Sequence, residues 1–375
     1  MTGISNLGQA LDQIARLKTQ QNTLDAFSTQ IATGKKTQQF SGLGGDILRS
    51  QRARADFNKL DQYSTNITNA SRRMDLMTNS ISQISSQANL LLNALTVNPE
   101  QGDYPDFETT KQLATDVYDY IMDMMNAKDG DRYLFAGSDS GIKPIEDKGL
   151  FDTFLGTFRY DDTDLVTPSE VSGFIGDWGA GLISTDEFIA AYHNTDENIL
   201  GYSTAIASGT TGDVRVRVDE NSDFDYTVLA NTPGMKDLVI AIGVLKNMPP
   251  PEHAPGALNT PIPPNTALEQ APWPPQERQD NFFQVINDLA KTITNAVDAL
   301  AGQENKINLV QAQTDNIKQQ YVYQKNSLQS IIGETEDIDL TETVAKLQQV
   351  QVGLEASFSV TALISDLTLV NFLGR

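Results

Sequence analysis

The chain has 375 residues, no cysteine and two histidines, with 49 acidic against 27 basic side chains and a formal charge of −22. Without thiols it forms no disulfide, thiolate metal site or cysteine nucleophile. His193 and His253 are too far apart to suggest a histidine-based metal centre, and so acidic a chain repels polyphosphate, so neither a cofactor nor a nucleic-acid partner is expected.

The N-terminus, "MTGISNLGQALDQ", lacks a basic segment followed by an apolar one, so no cleavable export signal is expected. Residues 4–31 then carry a heptad: Leu7, Ala10, Ile14, Leu17, Gln21, Leu24, Ser28 and Ile31 alternate spacings of three and four, which predicts a helix with one apolar stripe. "IATGKKTQQFSGLGGDIL", Ile31 to Leu48, ends it. Its Gly-Lys-Lys-Thr does not make a phosphate-binding loop: Lys36 stands where Ser or Thr is needed, Thr29 where the first glycine is needed, and a helical pattern precedes it. The stretch reads as a break between two helices.

The apolar repeat returns more cleanly in the second helix. Ala53, Leu60, Ile67, Met74, Ile81, Ala88 and Leu95 lie seven apart, and Tyr63, Ala70, Met77, Ile84 and Leu91 fall between them. Asp46 to Leu95 contains no Pro or Gly, a helix of roughly 75 Å. A third helix is predicted over Phe107–Ala127, with Leu113, Val117, Tyr120, Met124 and Ala127 as its stripe.

From Arg132 the helical period gives way. "RYLFAGS", "GTFRYDD" and "DVRVRVDENSDFDYTVLA" read as strands, the last as a hairpin in which Val214, Val216 and Val218 alternate with arginines. Ser138 to Ala230 holds eighteen acidic and five basic residues, most simply a solvated surface. "GSDSG" puts Asp139 where a nucleophile elbow needs Ser, and "RYDDTDL" lacks the order of a calcium loop. No constellation for catalysis is found, and the protein is expected not to be an enzyme. Pro249 to Pro275 holds ten of the fifteen prolines and reads as an extended connector, with Trp273 near its end.

The C-terminal part is helical again. From Ile286 to Ile331 the three-four spacing runs without a break, with eleven of fourteen line positions apolar. "GETEDIDL", Gly333 to Leu340, interrupts before a last helix. That helix carries one line through Val344, Leu347, Leu354 and Phe358 and a second through Ala356, Val360, Leu363, Leu367 and Val370. This is more apolar surface than one helix buries alone; it packs on the first helix, on partner chains, or both. No stretch is long and apolar enough to suggest a membrane partner. A basic cluster at Lys35, Lys36, Arg49, Arg52, Arg54 and Lys59 is either a solvated face or a source of electrostatic register; Arg49, Arg52, Arg54 and Lys59 are the candidates for the second role.

The fold class expected is mainly α with an inserted β-rich domain, on an antiparallel coiled-coil shaft formed by both chain ends. The domains expected are 1–40 with 335–375 as terminal helices, 41–131 with 276–334 as a helical rod, 132–248 as an acidic β-rich projection and 249–275 as the connector.

This organisation resembles the bacterial flagellin family of axial proteins. "IATGKK" resembles the family's ending of the first helix. "DGDRYLFAGSDSGIKPI", Asp129 to Ile145, "VRVDENSDFDYTVLANTPGMKDLVIAIGVL", Val216 to Leu245, and "LQQVQVGLEASFSVTALISDLTLVNFL", Leu347 to Leu373, resemble the hook-associated, hook–filament junction branch. "TQQFSGLGGD" departs from the family pattern, so its role is not carried over beyond joining helices. The resemblance implies a structural subunit, exported through the flagellar type III apparatus and located at the junction of hook and filament. Its partners would be further copies in a ring, a neighbouring hook-associated protein, flagellin and an export chaperone. It implies subunit assembly through Leu7, Ile14, Leu17, Leu24 and Ile31 with Leu354, Phe358, Leu363, Leu367 and Val370. Filament flagellin, or a free-standing coiled-coil adaptor or adhesin, are the alternatives.

Overall fold

A computed structural model describes residues 2–96, 107–156, 175, 178, 183–249 and 275–373. Within its helices only the backbone is described at 2–7, 9–10, 96, 275–278 and 364–373. The Pro-rich segment expected at 249–275 and the "GTFRYDD" strand lie almost wholly outside the described residues.

The chain is mostly helical, with long helices at both ends. In order come α1 (Thr2–Thr33), a 3-10 turn (Phe40–Asp46), α2 (Ile47–Thr96), α3 (Phe107–Met125), β1 (Lys128–Asp129), β2 (Arg132–Tyr133), α4 (Leu150–Leu155), α5 (Thr185–His193), a 3-10 turn (Glu197–Ile199), α6 (Thr204–Ala207), β3 (Arg215–Arg217), β4 (Asp223–Asp225), α7 (Pro233–Asn247), α8 (Pro275–Glu336) and α9 (Leu340–Leu373). They form two compact units. One is Thr65–Lys318; the other joins Met1–Ser64 to Gln319–Arg375.

The Thr65–Lys318 unit has a continuous core. Along α2, Ile67, Ala70, Met74, Met77, Ile81, Ile84, Ala88, Leu91 and Leu95 are all buried at the heptad spacing read from the sequence. On α8, Ile286, Leu289, Ile293, Ala296, Leu300, Ile307 and Val310 do the same, and the Phe107 and Phe282 rings meet edge to face at 5.0 Å. Each of the larger side chains among these, fully buried, stabilises by about 1.5–3 kcal/mol. Helix α7 is apolar nearly all round, and its residues from Met235 to Leu245 are buried apart from the half-buried Lys236 and Asp237. A helix of that kind needs neighbours on several sides. It packs on α3 and α4, and Gly243 makes the close approach possible: a Cβ there would lie 2.6 Å from the Phe151 ring of α4 and 3.3 Å from the Tyr118 ring of α3.

Contact with α7 also turns α3. Its buried line is Phe107, Thr110, Ala114, Val117, Tyr118, Ile121, Met122 and Met125, whereas Leu113, Tyr120, Met124 and Ala127 of the expected stripe are half-buried. The expected stripe took the best three-four spacing for one partner. Burial of Tyr118 and Met122, beside that stripe, widens the face.

The expected β-rich insert is corrected in the same way. Among the described residues of 132–248 the strands are β2, β3 and β4, of two or three residues each, and the rest is short helices and loops. The β3–β4 hairpin matches expectation: Val216 and Val218 are buried, Arg215 and Arg217 exposed, and Val216 pairs with Phe224. In "RYLFAGS" Arg132 and Tyr133 pair with β1, while Leu134, Phe135 and Ala136 are buried without continuing the ladder. The Arg73 guanidinium donates to the carbonyls of Tyr133 (2.8 Å) and Leu134 (3.0 Å), which a neighbouring strand would otherwise use.

Helix α5 was not anticipated, although its start carries a legible signal. Ser184 and Glu187 form a reciprocal capping box, and the aromatic run Trp178, Phe188, Tyr192 stacks behind it. Asp288 of α8 accepts from the Tyr192 hydroxyl and lies 2.7 Å from His193 Nε2, which docks α5 onto α8.

Candidate functional site

In the other unit, α1 and α9 pack against each other. The loops that follow α1 and precede α9 are bridged at Lys35 and Asp337, and further along Ser357 Oγ donates to Gln20 Oε1 at 3.1 Å, so the helices run antiparallel. The inner face of α9 holds Thr343, Leu347, Val350, Leu354, Ser357 and Thr361, of which only Thr343 is fully buried. At 100° per residue the opposite face holds Ala345, Val352, Ala356, Val360 and Leu363. All five are exposed, Val352 at 66% and Leu363 at 62%.

The residues expected to carry assembly therefore fall into two groups. Leu17, Leu24, Ile31 and Leu354 are half-buried within the pair, while Ile14, Phe358 and Leu363 are exposed, Ile14 at 60%. The side chains of Leu7, Leu367 and Val370 lie outside the described residues. Among the described side chains of α1 and α9, none that is apolar is fully buried.

The base of the pair is built differently. The glycine-rich break between α1 and α2 requires glycine at two places. Gly44 has φ 58° and ψ −121°, a region side chains avoid, and a Cβ on Gly42 would meet the Thr37 hydroxyl at 2.3 Å. The loop brings basic residues to the acidic end of α8, "GETED". Glu336 Oε1 accepts from Ser50 Oγ (2.6 Å) and Arg54 Nε (2.6 Å), and Oε2 accepts from Arg54 Nη2 (2.5 Å). Lys35 Nζ lies 3.4 Å from Oε2 and also donates to Asp337. Lys36 Nζ caps the end of α8, donating to the carbonyls of Glu334 (2.6 Å) and Thr335 (3.0 Å).

Glu336 is 8% exposed. The forked hydrogen bonds from Arg54 outweigh burial and, with Ser50 and Lys35, hold its carboxyl down to about 2. The hydrogen bond to Asp337 raises the Lys35 ammonium.

Of the four candidates for electrostatic register, Arg54 is thus engaged within its own chain and Arg49 lies 3.4 Å from Glu334 at the surface, while Arg52 is exposed and Lys59 half-buried. Sequence reading did not find Glu336. The signal was an acidic run after one long helix matching a basic run after another. Among the described residues there is no group of three or more side chains placed to hold a metal, and no helix long and apolar enough to cross a membrane.

No family model matches the chain. No curated protein sequence matches it either. Among solved structures, one from Vibrio parahaemolyticus that bears the name of a flagellar hook-associated protein matches at a TM-score of 0.42 and 12% identity, over 78% of this chain and 97% of that one.

Proposed function

We propose that this chain is a structural subunit of the bacterial flagellar axis, joining hook to filament. The observation that carries the reading is the α1–α9 pair, which is long and apolar on its outer face, yet buries no apolar side chain fully among those described. A two-helix unit of that kind is weakly held by itself and gains its core from other chains. The stretches at both chain ends and in the middle that resemble junction proteins name the setting.

In this reading the chain passes unfolded through the type III apparatus, with a chaperone covering its apolar ends. Copies then form a ring between a hook-associated protein and flagellin. Residues 1–40 and 335–375 pack into neighbours. The cost of ordering the ends is offset at assembly by the apolar area they bury. Its role is mechanical, with no catalytic step.

Immunogold labelling of sheared, intact flagella with an antibody to Ser138–Ala230 tests the placement. One narrow band between hook and filament is expected. Label along the whole filament would identify a flagellin instead, and no label on flagella from cells that contain the protein would favour a free-standing adaptor.

A further inference from the structure

The α1–α9 pair has little to hold its alignment along its length. Among the described residues one side-chain hydrogen bond, Ser357 to Gln20, links the two helices, and their facing apolar residues are half-buried. The joint at its base is the opposite. Glu336 touches two other segments at once: its carboxylate holds Ser50 and Arg54 at the start of α2 and Lys35 after α1, and its carbonyl accepts from the Lys36 amide at 2.7 Å. The Ile338 amide donates back to the Gly34 carbonyl at 3.0 Å, closing an antiparallel bridge between the two loops. Gly34, at φ 71°, turns the chain out of α1 in a conformation that glycine adopts without strain.

We infer that Glu336 clasps the α1–α2 and α9-preceding joints into one unit, and that this clasp, rather than the helix faces, sets the alignment of the chain's two ends. A carboxylate that accepts four side-chain donors from two separate segments makes both segments depend on it. Its removal loosens both together: the start of α2 loses its hold on the end of α8, and the loop after α1 keeps the two backbone bonds, the Lys35–Asp337 pair and the Lys36 contacts with the Glu334 and Thr335 carbonyls. The carboxylate of Glu334, two residues earlier, has one exposed contact, with Arg49, and no such reach. The clasp is a property of the single chain, so the inference stands or falls apart from the flagellar reading.

The absence of native cysteine allows a direct test on the full-length protein. Gln20→Cys and Ser357→Cys place two thiols where the helices meet, and a short bifunctional thiol reagent reports how often they are aligned. Intramolecular crosslinking is expected to slow about tenfold when Glu336→Gln is added, and about as much with Arg54→Met, which attacks the clasp from α2. Glu334→Gln is expected to leave the rate unchanged. Thermal unfolding followed by circular dichroism confirms that each variant keeps the Thr65–Lys318 unit; should Glu336→Gln disturb it, Arg54→Met decides. An unchanged crosslinking rate in the clasp variants overturns the inference, as does failure of the parent double-cysteine chain to crosslink within itself.

Discussion

Helices α2 and α8, within Thr65–Lys318, and helices α1 and α9 carry the same kind of three-four apolar spacing, and the two regions use it differently. From Ile67 to Leu95 every line position on α2 is buried, whereas the lines of α1 and α9 reach only half-burial, and a second line on α9 is exposed. Apolar periodicity states that a helix needs a partner; it does not say whether the partner lies in the same chain. The first region is complete in itself. The second carries an apolar surface left over, from Val352 to Leu363, and a polar joint instead of a core.

Substitutions can break or sharpen this contrast. The largest effect is expected from Ile84→Asp, which places an unpaired carboxylate in the α2 core and should cost more than about 5 kcal/mol, unfolding the Thr65–Lys318 unit. Loss of the helical circular dichroism signal checks it. Leu289→Ala, at a fully buried position on α8, should cost about 2–5 kcal/mol in chemical denaturation. Glu336→Gln should cost about 1–3 kcal/mol, confined to the other unit, because Arg54 remains partly in water and recovers solvation that a buried cation would not.

The same carboxyl gives a pH dependence. It ionises at about 2 when folded and near 4.5 when unfolded. A depressed carboxyl contributes stability that is present in full above its unfolded value and is lost as pH falls from about 5 towards 2. Lys35 and Arg54 face it, both raised by their acidic partners, and keep their charge across that window. The protection factors of the Lys36 and Ile338 amides, taken against intrinsic exchange at each pH, should therefore fall on acidification, and this fall should be much smaller in the Glu336→Gln variant.

Smallest of all is the expected effect of Leu363→Asp on the free chain, within about 0.5 kcal/mol since the site is exposed. Its effect on assembly should nevertheless be complete, scored as absence of the protein from purified flagella.

Much of the fold was legible in the sequence because the long helices repeat one pattern over many turns. The heptad from Ile67 to Leu95, the break after Thr33 and the hairpin that starts at Val214 all follow from local spacing and turn residues. What was not legible depends on several neighbours at once. The face of α3 is widened by Tyr118 and Met122, the "RYLFAGS" carbonyls are claimed by Arg73, and α5 is docked by an aspartate almost a hundred positions away. The clasp combines residues some three hundred positions apart, so neither joint alone discloses it.

The central claim is that α1 and α9 are completed by other chains while Thr65–Lys318 is complete alone. Amide exchange measured on the free chain and again on assembled flagellar material tests it most directly. The account predicts weak protection in α1 and α9 of the free chain, rising at least about a hundredfold on assembly, with the core of α2 and α8 protected equally in both. Terminal helices already as protected in the free chain as that core would contradict it.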